Sequence, residues 1–255
     1  MPHPVRFTLI GGATALIEFS GVRFLTDPTF DPAGAEFRSG SYVLERIAGP
    51  ALSAGAVLPV NAVLLSHDHH FDNLDGSGRE FLPRADRVIT THAGAERLGG
   101  NAIGLAPWES YSIGGVVVTA TPARHGPADG DRGPVIGFVL TDSTAAGNTT
   151  YISGDTVWYE AIAEVAARFR IRYAFLFMGA ARVAAVGRHH LTLTAEEGVK
   201  AAKALPDALI IPLHFEGWRH FSENRGDIEG AFNRAGLGTR LFWGQPGVQL
   251  DLARR

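Results

Sequence analysis

Residues 62–76 read AVLLSHDHHFDNLDG, and the break inside that stretch sets the problem. The opening "AVLLS" is a short, nearly continuous apolar run, the pattern of a strand covered on both faces. The nine residues after it, His67 to Asp75, hold three of the chain's ten histidines and three aspartates. A turn needs no such concentration of imidazole and carboxylate. Those two groups are, however, the ligands that Zn²⁺, Mn²⁺ and Fe²⁺ accept.

Three further segments repeat the form, an apolar strand followed abruptly by His or Asp. They are "VVVTATPARHGP" (116–127), "TTYISGDT" (149–156) and "ALIIPLHFEGW" (208–218). Ends of neighbouring strands in one sheet converge, so these polar residues can meet at one edge. Two divalent ions roughly 3.5–4 Å apart can share a water and lower its pKa. They also polarise a carbonyl or phosphoryl oxygen, which suits hydrolysis.

Composition narrows the classes. The chain has 255 residues, 45% hydrophobic and 19% charged, an ordinary globular mix with room for a sizeable core. A net charge of −3 without like-charge blocks offers no basic patch for nucleic acid. With no cysteine, disulfides and thiolate sites are excluded, so any metal rests on imidazole and carboxylate. The start, "MPHPVRFTLIGG", lacks a secretory pattern, and no apolar run approaches the roughly 20 residues of a membrane span. A cytoplasmic location is expected.

Periodicity supplies the frame. Strands are expected near 5–10, 14–19 and 22–26, with turns at Gly11-Gly12 and Ser20-Gly21, then at 62–66, 87–91, 115–123, 134–142 and 149–155. Helical spacing over 157–169 precedes a buried strand, "YAFLFMG". Thr194 and Glu197 form a capping-box pattern opening "AEEGVKAAKAL". The strand "ALIIPLH", a helix over 227–236 stopped by Gly236, and late strands near 239–243 and 247–252 complete the order. Interleaved strands and helices without a linker predict one α/β domain over 1–255, two sheets with helices outside.

Taken in order, "SHDHHFDNLD", "ARHG", "SGDT" and "PLHFEGW" resemble the metallo-β-lactamase fold superfamily, whose signature is His-x-His-x-Asp-His, a distant His, an Asp and a last His. The opening "LIGGATALIEFSGVRFLTDPTF" (9–30) is similar to the branch that contains ascorbate-6-phosphate lactonase and the N-acyl-phosphatidylethanolamine-hydrolysing phospholipase D. The resemblance implies a four-layer αββα sandwich. It also implies ligand roles for His67, Asp72, His125, Asp155 and His214, with Asp155 bridging. One residue too many separates His67 from Asp72, so His69 or His70 is the second histidine; His70 keeps the His-x-Asp step. Asn73 stands where the signature has His, and an amide is a weak ligand. Asp68, His69 and His190 are the candidates to compensate.

Each residue has a plainer reading. A lone His at a strand end is more often a hydrogen-bonded loop residue, and only the ordered set reverses that balance. Asp75 either orients a ligand histidine or caps a loop. Asp27, before Pro28, makes an Asx turn or orients a ligand. His220 reads as surface and His3 as tail. Trp218 either walls the pocket or packs in the core. Arg219 and Arg188, like Arg124, Arg132 and Arg182, either meet an anionic substrate or are solvated.

The expectation is a metallo-hydrolase with one or two divalent ions, Zn²⁺ first, Mn²⁺ or Fe²⁺ next. A metal-held hydroxide would attack an ester, lactone or phosphodiester. Asp72 or a neighbouring carboxylate would position it and help shuttle the proton, and His190 would contact substrate. The partner is a small molecule rather than nucleic acid, no membrane span is expected, and a homo-oligomer is left open. A metal-binding sensor or scaffold without turnover is the alternative, and nuclease action ranks below it.

Overall fold

The computed structural model describes residues 5–129, 132–142 and 148–252; His3 lies outside them. The chain opens with a meander of β1 (Arg6–Gly11), β2 (Thr14–Phe19) and β3 (Val22–Thr26). Ser20 and Gly21 both take positive φ, 48° and 80°, the two-residue turn whose twist matches antiparallel strands. A small hairpin of β4 (Glu36–Ser39) and β5 (Tyr42–Glu45) follows.

After β6 (Ala62–Leu64), the first sheet grows in parallel through β7 (Arg87–Thr91) and β8 (Ala102–Leu105). Between them lie helices α1 (Gly76–Phe81) and α2 (His92–Leu98). The second sheet is antiparallel through β9 (Ser110–Ile113), β10 (Val116–Pro122), β11 (Ile136–Asp142) and β12 (Thr150–Ile152). It continues in parallel through β13 (Tyr173–Phe177) and β14 (Leu209–Leu213), with α3 (Glu160–Arg168) and α4 (Ala195–Ala204) as crossovers. Helix α5 (Arg225–Arg234) follows, and β15 (Gln249–Asp251) returns beside β1 to complete a seven-stranded sheet against a six-stranded one.

Three apolar layers hold this together. Phe7, Ile17 and Phe24 of the first sheet meet Phe138, Phe175 and Phe177 of the second. Ile162, Val199 and Phe232 of α3, α4 and α5 cover the outer face of the second sheet. Phe81 and Leu82 cover that of the first. The period of two is visible within one strand: Ala62 and Leu64 point between the sheets, Val63 and Leu65 outward. Four layers, αββα, result, as expected from the sequence.

The differences are local. The hairpin β4–β5, strands β8 and β9 and helix α1 were not anticipated. Residues 239–243 form a 3₁₀ turn over Gly238–Arg240 and one isolated bridge, not a strand. Arg240 explains why: its guanidinium donates to Ala202 O at 2.7 Å, to Ala208 O at 2.7 and 3.0 Å and to Leu205 O, closing the carbonyl end of α4. The segment is spent on that helix end.

Candidate metal centre

Strands β3, β6, β10, β12 and β14 all deliver their C-terminal ends to one edge of the sandwich. Asp27, His67, His125, Asp155 and His214 each lie within three residues of such an end. Gly154 makes one of these exits feasible. It sits at φ +59°, and a Cβ there would fall 2.6 Å from Ile136 O. Asp27 and His214 also take positive φ, 26° and 55°, a strain that non-glycine residues tolerate only where the surroundings impose it. His214 N donates to Gly12 O at 2.9 Å, which helps hold that conformation.

Two groups of donors form there. His67 Nε2 and His125 Nε2 each lie 3.0 Å from His70 Nδ1. The protons on the far nitrogens are fixed by their partners. Leu191 O only accepts, so His125 Nδ1–H donates to it, at 2.8 Å. Ser66 Oγ donates to Asp27 Oδ1 at 2.9 Å and so accepts from His67 Nδ1–H, also at 2.9 Å. Both Nε2 atoms therefore present lone pairs to the same point, an arrangement that a cation relieves. Burial, then the neighbouring imidazoles His70 and His125, hold His67 well below the usual histidine pKa. Burial, then His125, brings His70 down to about 3. His67 and His70 are therefore uncharged.

The second group is Asp72, Asp155 and His214. His214 Nε2 lies 3.3 Å from Asp72 Oδ2 and 3.4 Å from Asp155 Oδ1. These contacts suit ion pairing but are not aligned hydrogen bonds; both His214 nitrogens and both Asp155 oxygens lack a hydrogen-bond partner. Burial opposes charge on His214, yet Asp155 and Asp72 push it up to about 10. Burial likewise opposes charge on Asp72, but the ion-pair contact with His214 and the hydrogen bond with His220 take that carboxyl well below its ordinary value. The other oxygen of Asp155, Oδ2, lies 3.5 Å from His125 Nε2, so this carboxylate faces both groups. Imidazoles, carboxylates and orphaned buried atoms together fit one or two divalent ions.

The remaining expected residues sort differently. His69 does not join the nitrogen trio: its Nε2 lies 2.8 Å from Arg132 O. Asp68 turns away to pair with Arg97, at 2.5 and 2.8 Å. Asp75 caps α1 through Gly78 N and pairs with buried Arg46 at 2.9 Å, so the capping alternative describes it. Asp27 orients His67 through Ser66. Asn73 is fully buried, and neither of its amide atoms has a hydrogen-bond partner.

A cleft opens over His70, Asp72 and His125, walled by Tyr42, Leu44, Arg132, Val183, Val186 and Leu191. His190, expected at the site's border, is not among its lining; its Nδ1 lies 3.4 Å from Ala180 O. Arg219 pairs with Glu45 at the surface instead, and Arg188 is exposed outside the cleft. Trp218 is buried against Phe37, under the guanidinium of Arg46, rather than lining the cleft. His220, read as surface, lies in the cleft with Nε2 3.0 Å from Asp72 Oδ2. Its only sequence signal is its nearness to the His214 segment. Among the described residues, no helix is long and apolar enough to cross a membrane.

Known proteins share this fold. UPF0173 protein YddR of Bacillus subtilis (strain 168) is 23% identical over 251 residues, covering 93% of this chain and 96% of its own. The isothiocyanate hydrolase from Delia radicum gut bacteria superposes with a TM-score of 0.85 at 24% identity, over 97% of this chain and 99% of its own. A "possible metal-dependent hydrolase" from Veillonella parvula DSM 2008 superposes with a TM-score of 0.84 at 20% identity, over 98% and 100%. Residues 22–215 match the family model described as the beta-lactamase superfamily domain. With that match spanning most of its length, the chain belongs to the metallo-β-lactamase superfamily.

Proposed function

We propose that the chain is a single-domain cytoplasmic hydrolase, dependent on divalent metal, that acts on a small ester, lactone or phosphodiester. The observation that carries the reading is the convergence of His67 Nε2, His70 Nδ1 and His125 Nε2 at 3.0 Å, with two of them fixed as lone-pair donors. Held there and at Asp72, Asp155 and His214, divalent ions would supply Lewis acidity and bring the pKa of water toward neutrality.

The chain's own residues do the rest. Ser66 and the Leu191 carbonyl hold His67 and His125 in the tautomer that donates electrons inward. Asp72 is charged at neutral pH and lines the cleft, where its Oδ2 can take a proton from the attacking water. Leu44, Val183, Val186 and Leu191 keep the cleft largely apolar, which strengthens electrostatics at its floor, while Arg132 provides a cation for a substrate carbonyl or anion. So narrow a cleft, on a chain of net charge −3, favours a small molecule over nucleic acid. Zinc is the first choice of metal, manganese or iron the next.

The test is metal analysis of the purified protein, followed by a panel of activated esters, lactones, phosphodiesters and isothiocyanates, with and without chelator. Bound transition metal and chelator-sensitive turnover are expected. Metal-free protein whose measured properties are unchanged by His67→Ala would overturn the reading. Metal retention without turnover of any substrate would select the sensor or scaffold alternative, which rests on Asn73.

A further inference from the structure

We propose that His220 is a ligand of the second metal position, filling the place that Asn73 leaves vacant in the superfamily's signature. This rests on the two-position reading above. The first group offers three imidazoles together with Asp155 Oδ2. The second offers one imidazole, His214, with Asp72 and Asp155. It is therefore short of a nitrogen donor, and its neighbour in the chain, Asn73, has only an amide to give. An amide oxygen is a poor match for a metal that prefers imidazole.

His220 meets the requirement on three counts. Its Nε2 lies 3.0 Å from Asp72 Oδ2, the same oxygen that lies 3.3 Å from His214 Nε2, so one carboxylate oxygen lies close to both rings. The ring is 91% buried, and its other nitrogen, Nδ1, has no hydrogen-bond partner. A buried imidazole with one nitrogen unused and the other against the donor group is aimed at the site rather than at solvent.

The third count is rigidity. Residues 218–221 are tied down on both sides: Trp218 bridges Arg46, Arg219 N donates to Glu45 O at 3.0 Å, Arg182 N donates to His220 O at 2.9 Å, and Phe221 bridges Ala181. The ring also packs on Phe221, with centroids 4.7 Å apart. A ligand held within a fraction of an ångström needs such support. With His220 the second position has two imidazoles and two carboxylates, four donors like the first.

The experiment counts ions rather than turnover. Protein stripped with chelator is titrated with Co²⁺, following the d–d absorption, and the bound metal per chain is measured after desalting. The wild type should bind about two ions. His220→Ala, and the gentler His220→Gln should the first not fold, should bind about one and lose one component of the spectrum. Asn73→His in the His220→Ala background should restore the second ion. Two ions retained by His220→Gln, or a wild type that binds only one, would overturn the proposal while leaving a metal centre in place. A double variant stuck at one ion would also overturn it. A wild type that binds none would overturn the hydrolase reading itself.

Discussion

His67 and His125 each commit their outer nitrogen to a hydrogen bond with the protein, at 2.9 and 2.8 Å, whereas His214 commits neither of its nitrogens. His214 is held instead by its backbone and by the rings of Phe177 and Phe221, 5.5 and 4.8 Å away. The two groups differ in charge as well. His67 and His70 are uncharged, while the second group is an ion cluster in which a protonated imidazole compensates two carboxylates. On the proposed reading, the first position would receive a cation as it stands. The other would first have to release a proton, because its own imidazolium occupies the cation's role.

The contrast can be broken most decisively at Asp155, the residue facing both groups. Asp155→Asn should abolish both positions, seen as loss of about two bound ions in metal analysis. If one ion survives, the carboxylate serves a single group.

The stability of chelator-treated protein should depend on pH in opposite ways for the two groups. His70 has a folded pKa of about 3, below the unfolded value, so as pH falls from 6.5 the unfolded chain takes the proton first. Stability is lost across that window, by roughly a few kcal/mol. His214 has a folded pKa of about 10. Its contribution is complete below 6.5 and is lost as pH rises toward 10. Melting temperatures from pH 4 to 10 should therefore fall on both sides, the acid side recovering in a His70→Gln variant and the alkaline side in His214→Gln.

Asp27→Asn should weaken metal at the trio about 10- to 100-fold and affect the second position less, because its carboxylate holds Ser66, which orients His67, but reaches Asp155 and His214 by charge alone. Competitive chelator titration separates the two. At pH 8 the second ion should release about one proton and the first almost none, a difference that calorimetry in buffers of unequal ionisation heat resolves. Least of all, Arg219→Ala should change neither metal content nor turnover, since its partner Glu45 is a surface group. A marked rise in KM for an anionic substrate would return Arg219 to the site.

The same contrast separates what the sequence discloses from what it withholds. His67, Asp72, His125, Asp155 and His214 are legible because each follows a strand whose apolar run is unmistakable, as "AVLL" or "LIIPL" is. The choice between His69 and His70 is not decided by spacing. The loop after β6 turns one ring to Arg132 O and the other to the trio, and only tertiary packing distinguishes them. His220 was misread because no strand precedes it; isolated bridges to Arg46 and Ala181 carry its segment into the cleft. The hairpin β4–β5 escaped for a related reason. Its strands have four residues each, partly exposed, and too little apolar contrast to announce themselves.

Asp155 places one oxygen toward His125 and the other toward His214, and no other described residue contacts both groups in this way. An ion held by the trio would fix the rotation of that carboxylate and so pre-position its second oxygen. Occupancy of the two positions would then be a linked equilibrium. Whatever factor the first ion contributes to the affinity for the second, the second must return to the first, in either order of loading. The carboxylate that faces both groups would thereby also make their filling cooperative.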